Sequence, residues 1–232
     1  MVTAGVFLII RCSPLFELVF YTLNFIVIIG AATAFMAATS GFFQNDLKKV
    51  IAYSTCSQLG YMIFVCGFSA YSVGLFHLST HAFFKALLFL SAGAVIHAVA
   101  SEQDMRKFGG LARVLPYTYA SFFVGSIALM GVPFLSGFYS KDLILEIAGG
   151  GSATTARFAY VLGLISAFFT TFYSFRLLFL TFYSDARTAR LPLEHTHELS
   201  HRMATALISL AIGSVFLGLF ARDLFVGPGT NF

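Results

Sequence analysis

His77, His81 and Lys85 stand four residues apart in the stretch FHLSTHAFFKALLF, residues 76 to 89. Four residues advance a helix by about 400°, so each group stacks about 6 Å above the last with a drift of ~40°. The three would form a ladder along one helix face. Apart from the hydroxyls of Ser79 and Thr80, the neighbours are apolar. Imidazole exchanges protons near neutral pH, and lysine is readily retuned by its surroundings. The chemistry this pattern suits is proton relay. The plain alternative is structural: the histidines bond to neighbouring helices and the lysine pairs with a carboxylate. Two histidines and a lysine on one face, in so apolar a run, favour the relay, because ionisable groups inside a membrane are expensive.

A second constellation lies in GVPFLSGFYSKDLILEIAGG, residues 131 to 150. Pro133 removes a backbone donor, and Gly131 and Gly137 permit irregular turns. The spacing predicts a helix broken here, with Tyr139 or Ser140 opening its second half. The break delivers Lys141, Asp142 and Glu146 to membrane depth. Asp142 and Glu146 are four apart and share a face, which makes them candidate partners for the cations. Broken helices at that depth face protein or a water-filled cavity. A third candidate is Lys48 in QNDLKKVIAYSTCSQLGYM. It stands at a helix start beside Asp46 and Lys49, and either anchors the helix at the interface or ends a path along Tyr53, Ser54, Ser57, Gln58 and Tyr61.

The elements that must hold these groups follow from composition. The chain has 232 residues, 58% hydrophobic and 10% charged. A soluble domain carries about 25% charged residues, so lipid is the expected solvent. Six apolar runs, roughly 18–43, 50–70, 71–98, 116–148, 154–182 and 203–220, are long enough to cross a membrane as helices. They do not alternate as membrane strands must. The expected fold is an all-α, polytopic transmembrane helix bundle. Residues 183–202 read as a loop, and 203–232 as a last spanning helix with a tail. MVTAGVFLII is stopped by Arg11 after ten residues, about 15 Å of helix. It reads as the second half of a helix, residues 1–11, and lacks the leading basic residues of a signal peptide.

Alternate crossings place nine lysines and arginines on one side and three on the other; Lys85 and Lys141 fall inside the membrane. The rich side is expected to face the cytoplasm or the mitochondrial matrix. Cys12, Cys56 and Cys66 have no metal-ligand spacing, and no nucleotide-binding motif is present. His195, His197 and His201 read as a solvated loop rather than a metal centre. Few basic residues, all in loops apart from the two lysines, exclude a nucleic-acid partner.

Four motifs carry a resemblance. QNDLKKVIAYSTCSQLGYM, HLSTHAFFKALLFLSAGAVIH, EQDMRKFGGL and PFLSGFYSKDLILE occur in that order. Together they resemble the largest antiporter-like membrane subunit of respiratory complex I, the proton-translocating NADH:ubiquinone oxidoreductase, in its mitochondrial forms. Large subunits of multisubunit sodium/proton antiporters are related. The resemblance implies the second half of an inverted-repeat fold, with a core repeat over 18–182 and a broken helix at about 116–148. It implies that Lys48, His77, His81 and Lys85 belong to a central proton path and that Lys141 leads to its exit. It implies no cofactor in this chain, with NADH, FMN, iron-sulfur clusters and ubiquinone handled elsewhere in the complex. The expected partners are other membrane-arm subunits of complex I, a separate N-terminal fragment of the same subunit, a further C-terminal one, and lipid. The expected location is the mitochondrial inner membrane, with the basic loops on the matrix side. A sodium/proton antiporter subunit and a purely structural membrane-arm piece remain the rival readings.

Overall fold

A computed structural model describes residues 2–99, 101–185 and 201–227. The fold is all-α. In chain order it runs α1 (Val2–Arg11), α2 (Ser13–Phe16), α3 (Phe20–Phe43), α4 (Leu47–Cys66) and α5 (Tyr71–Ala98). A 3-10 turn (Met105–Lys107) then precedes α6 (Pro116–Met130), α7 (Ser136–Gly150), α8 (Thr154–Leu178) and α9 (His201–Val226). A π-helical turn, Phe179–Tyr183, prolongs α8. Among the described residues, four helices are long and apolar enough to cross a membrane: α3, α5, α8 with its π turn, and α9. At 20 residues α4 is shorter but still long enough to span, and Lys48, Lys49 and a buried polar face make it less apolar. His195 and His197 lie outside the described residues.

Two close helix contacts set the frame. On α3, Gly30, Ala34 and Ala38 recur every four residues and are buried. Against them lies Gly60 of α4. A Cβ on Gly60 would come 2.5 Å from the backbone nitrogen of Ala34, and one on Gly30 would come 2.5 Å from that of Phe64. Only glycine admits so close an approach, the small-residue packing that brings membrane helices together. Ser57 secures it by donating to the Ala34 carbonyl at 2.9 Å. With that face of α4 held against α3, Ser54, Gln58 and Tyr61 are buried within the bundle.

The run 116–148 is interrupted. At ~1.5 Å per residue, α6 and α7 each span only ~22 Å. Gly131 ends α6 in the left-handed region, φ 85°, and Val132 N–H returns to the Ile127 carbonyl at 3.2 Å. This is a glycine helix stop. Pro133 follows, and α7 restarts at Ser136. At Gly137 a Cβ would collide with the Ala128 carbonyl oxygen, so α7 begins pressed against the end of α6.

The loops gather at the two ends. At one end Leu47 N–H donates to Gln103 O, Met105 N–H to Asn45 O, and Ala112 N–H to Phe182 O. Arg176 donates to the carbonyls of Phe42 at 2.6 Å and Gln44 at 2.9 Å, and to Asn45 Oδ1 at 2.5 Å. Lys48, Lys49, Arg106, Lys107 and Arg113 all sit at this end. At the other, Thr155 bonds Asn24 and Tyr71 bonds Glu17.

A buried lysine and histidine line as the candidate functional site

The ladder on α5 faces inward. His77 is 1% exposed and Lys85 4%. His77 is held on both sides of its ring. Its Nε2 lies 3.1 Å from Gln58 Oε1 of α4, and its Nδ1 lies 2.8 Å from Ser140 Oγ of α7. Gln58 Oε1 only accepts, so Nε2 is the donor there. In the neutral ring Nδ1 then accepts from the Ser140 hydroxyl. Ser140 Oγ also lies 2.9 Å from Thr80 Oγ1, whose hydroxyl is within reach of the His77 carbonyl at 3.1 Å. The hydrogen-bonded set Gln58–His77–Ser140–Thr80 therefore crosses three helices.

His81 stacks edge-on to Phe84, with ring centroids 5.3 Å apart, and its ring lies 6.1 Å from that of His77. Its Nε2 is buried with no protein partner, and so is Gln58 Nε2. Buried polar atoms are nearly always satisfied by protein or ordered water. These two atoms therefore mark where water would bond in the line.

Lys85 Nζ donates to Ser54 Oγ of α4, with Ile51 O at 3.4 Å. Lys141 is 5% exposed. Its Nζ donates to Thr170 Oγ1 of α8 at 3.0 Å and lies 5.4 Å from the centre of the Tyr61 ring. The Tyr61 hydroxyl donates to Gly163 O at 2.5 Å, which fixes the ring beneath the ammonium. Neither lysine has a carboxylate partner: the ion pairs among the described residues are Lys49–Asp46, Arg106–Asp104 and Lys107–Glu102, all at the loop end. A cavity of about 320 Å³ opens beside Lys141 at the helix break, lined by Gly131, Phe138, Asp142 and Thr171 among others.

The remaining candidates lie apart from this line. Asp142 and Glu146 are exposed, about 100° and about 140° round α7 from Lys141. Asp142 borders the same cavity, but neither carboxylate pairs with the ammonium. The charge they would neutralise is met instead by hydroxyls and a ring. Ser79 turns back to its own helix, donating to Leu75 O at 3.0 Å, because its position faces away from Ser140. Tyr139 is half-buried and stacks edge-on to Phe138 at 5.6 Å. Lys48 is exposed in the first turn of α4. Ser54 and Gln58, on the polar face that could serve a path to Lys48 or join helices, bond Lys85 and His77. Thr170 escaped the sequence reading. Its signal is Ser166, Thr170 and Ser174, three buried hydroxyls at spacing four on α8.

A spanning-helix bundle with one helix broken beside a buried, carboxylate-free lysine defines a polytopic, antiporter-like membrane protein. Residues 1–175 match the model of the NADH:quinone oxidoreductase/Mrp antiporter transmembrane family, and the chain belongs to that family. Over all 232 residues it is 60% identical to NADH-ubiquinone oxidoreductase chain 5 of Marchantia polymorpha and 59% identical to that of Arabidopsis thaliana. It spans about 35% of the length of each. Among solved structures, a chain of the membrane-bound sulfane sulfur reductase, an archaeal respiratory membrane complex, superposes with TM-score 0.77 and 26% identity. That match covers 88% of this chain and 34% of the other. A chain of the Mrp complex from a Dietzia species superposes at 0.70 with 21% identity, over 88% of this chain and 45% of that one, and shows the shared fold.

Proposed function

We propose that this chain carries the later part of a proton path in the membrane arm of a proton-translocating NADH:ubiquinone oxidoreductase of the mitochondrial inner membrane. Identity to the chain 5 relatives over the whole sequence supports the assignment. Residues 18–182 would form the second antiporter-like repeat, with the basic loops on the matrix side. Other membrane-arm subunits are its partners, and redox cofactors belong elsewhere in the complex.

The observation that carries the reading is the pair of buried lysines, Lys85 and Lys141, with hydroxyls rather than carboxylates around them. A charge held at mid-membrane costs at least ~2.5–3.5 kcal/mol on insertion scales, so such a group is retained for use. A proton leaving Lys85 passes through His81 and His77, with water at the open Nε2 of His81. His77 hands it across to Ser140, on the helix that carries Lys141. Once a proton from His81 has reached His77 Nδ1 and the Ser140 hydroxyl has turned away from the ring, Ser140 Oγ takes that proton and gives its own through water to a neutral Lys141 Nζ, so no charge rests on the serine. Lys141 releases toward the cavity at the helix break. Lys48, exposed at the loop end, is assigned to the supply of protons to the line.

The test is Lys85→Met and Lys141→Met, separately, in the assembled complex. Native gels measure assembly, NADH oxidation measures turnover, and a pH-sensitive dye in vesicles measures protons moved. The expected result is normal assembly with fewer protons moved per NADH. Unchanged pumping by both variants in intact complex would overturn the proton path and leave a structural role. Proton movement that requires sodium would favour the antiporter reading.

A further inference from the structure

A groove unrelated to the proton line runs between α6 and α9. It has a volume of about 210 Å³ and is lined by Tyr117, Ala120, Ser121 and Val124 of α6 and by Ala204, Leu207, Ile208, Ala211 and Ile212 of α9. The α6 residues follow the spacing 0, 3, 4, 7, and the α9 residues 0, 3, 4, 7, 8, so each set is one continuous helix face. The two helices lie side by side and begin at the same end of the groove. The lining extends over ~10–12 Å. It is apolar throughout its length, because the Ser121 hydroxyl is spent on the Tyr117 carbonyl at 2.9 Å. On its outer side α9 presents Ile208, Ile212, Phe216 and Phe220, each at least half exposed.

One end of this groove is basic. Arg113 stands four residues before Tyr117, and Arg202 two residues before Ala204. Both are exposed, and neither forms an ion pair among the described residues. Both α6 and α9 begin at this end, and their N-termini add positive partial charge. Tyr117 is 67% exposed there, an aromatic ring at the level where such rings sit in lipid headgroups. An apolar slot that starts beneath two arginines and two helix N-termini has the layout of a lipid with an acidic headgroup. We propose that this groove binds an anionic phospholipid, with an acyl chain between α6 and α9 and the phosphate at Arg113 and Arg202.

The ligand class follows from charge. A zwitterionic lipid would fill the slot equally but would gain less at the two arginines. Near a membrane surface each basic group adds about 1 kcal/mol toward acidic lipid, a factor of about five. The site also sits where α9 meets the half-helix α6, so lipid would help hold α9 against the bundle.

The experiment is photolabelling of the native membrane assembly that contains the chain. The assembly is reconstituted into phosphatidylcholine vesicles carrying a trace of photoactivatable phosphatidylglycerol or, in parallel, photoactivatable phosphatidylcholine with the same acyl chains. Labelled peptides are then mapped by mass spectrometry. The expected result is several-fold stronger labelling of residues 117–124 and 204–212 by the phosphatidylglycerol probe. Arg113→Gln with Arg202→Gln should remove that preference and leave phosphatidylcholine labelling unchanged. The comparison of the two probes on unaltered protein needs no variant and decides the question by itself. Equal labelling by both probes overturns the proposal, as does a groove that neither probe labels because a polypeptide covers it.

Discussion

His77 Nδ1 and Ser140 Oγ lie 2.8 Å apart and join α5, which carries Lys85, to α7, which carries Lys141. Without that bond the two lysines belong to separate hydrogen-bonded groups, one with Ser54 and one with Thr170. With it, a titratable ring reaches the neighbour of Lys141 in the chain.

Ser140→Ala should therefore slow proton transfer between the two halves of the line. It also leaves His77 Nδ1 and Thr80 Oγ1 without a shared partner, and an orphaned buried polar group costs about 1–3 kcal/mol. The expected outcome is an assembled complex of somewhat reduced thermal stability that moves fewer protons per NADH. Ser140→Thr keeps the hydroxyl and should retain pumping. Equal pumping by the alanine variant and the unaltered protein would show that protons bypass His77.

Arg176 ties the end of α3 to the loop before α4 through three bonds from one guanidinium. Hydrogen bonds from a charged donor contribute about 1.5–3 kcal/mol each when well made, and are not additive. Arg176→Gln should raise amide exchange across residues 42–47 by at least tenfold while leaving the middle of α5 protected. Arg176→Lys should recover only part of this, because an ammonium cannot match the planar fork. No change in exchange across 42–47 would mean that backbone pairing with residues 103–105 suffices.

The loop at that same end should also loosen in acid. Arg106 beside Asp104 holds its carboxyl below the usual range, and Lys107, with the backbone N–H groups of Asp104 and Gln103, does the same for Glu102. A carboxyl whose folded-state pKa is depressed adds stability that is present above its unfolded value and is lost as pH falls through the folded one. The unfolded values lie near 4. Amide exchange of residues 101–108, corrected for its intrinsic pH dependence, should stay constant from pH 8 to 5 and rise below about pH 4. The pairs are exposed, so the change is small and shrinks further in high salt. A rise between pH 7 and 6 would point to a histidine instead.

The fold was legible in the sequence where length decides. A helix over 71–98 and a stop near Gly131 follow from apolar run length and from the glycine and proline positions, and α5 and α6 end there. The ladder of His77, His81 and Lys85 was legible for the same reason, since a period of four fixes a common face whatever lies opposite. The partners were not. Asp142 and Glu146 are adjacent to Lys141 in sequence, but on a helix the next residue turns about 100° away. That rotation sends Asp142 to the surface while Lys141 points at α8. Thr170 was missed because the contact depends on how α7 packs against α8: the spacing of Ser166, Thr170 and Ser174 marks a polar face on α8 but does not say what that face meets.

Thr170 offers the sharpest separation of structure from proton handling at Lys141. Thr170→Val keeps the side-chain shape and removes only the oxygen that accepts from Nζ at 3.0 Å. The ammonium then keeps the Tyr61 ring at 5.4 Å, and a cation over an aromatic face gains roughly 0.5–2 kcal/mol. That is less than the at least ~2.5–3.5 kcal/mol set against a charge at mid-membrane. The variant should assemble normally and pump fewer protons per NADH, and Thr170→Ser should restore the loss. Tyr61→Phe is the matched control. It keeps the ring and removes the hydroxyl that bonds Gly163 O and neighbours Ser166, so pumping should stay near normal with a modest loss of thermal stability. If Tyr61→Phe stops pumping while Thr170→Val leaves it unchanged, the phenol and not the threonine would be the group that exchanges protons with Lys141.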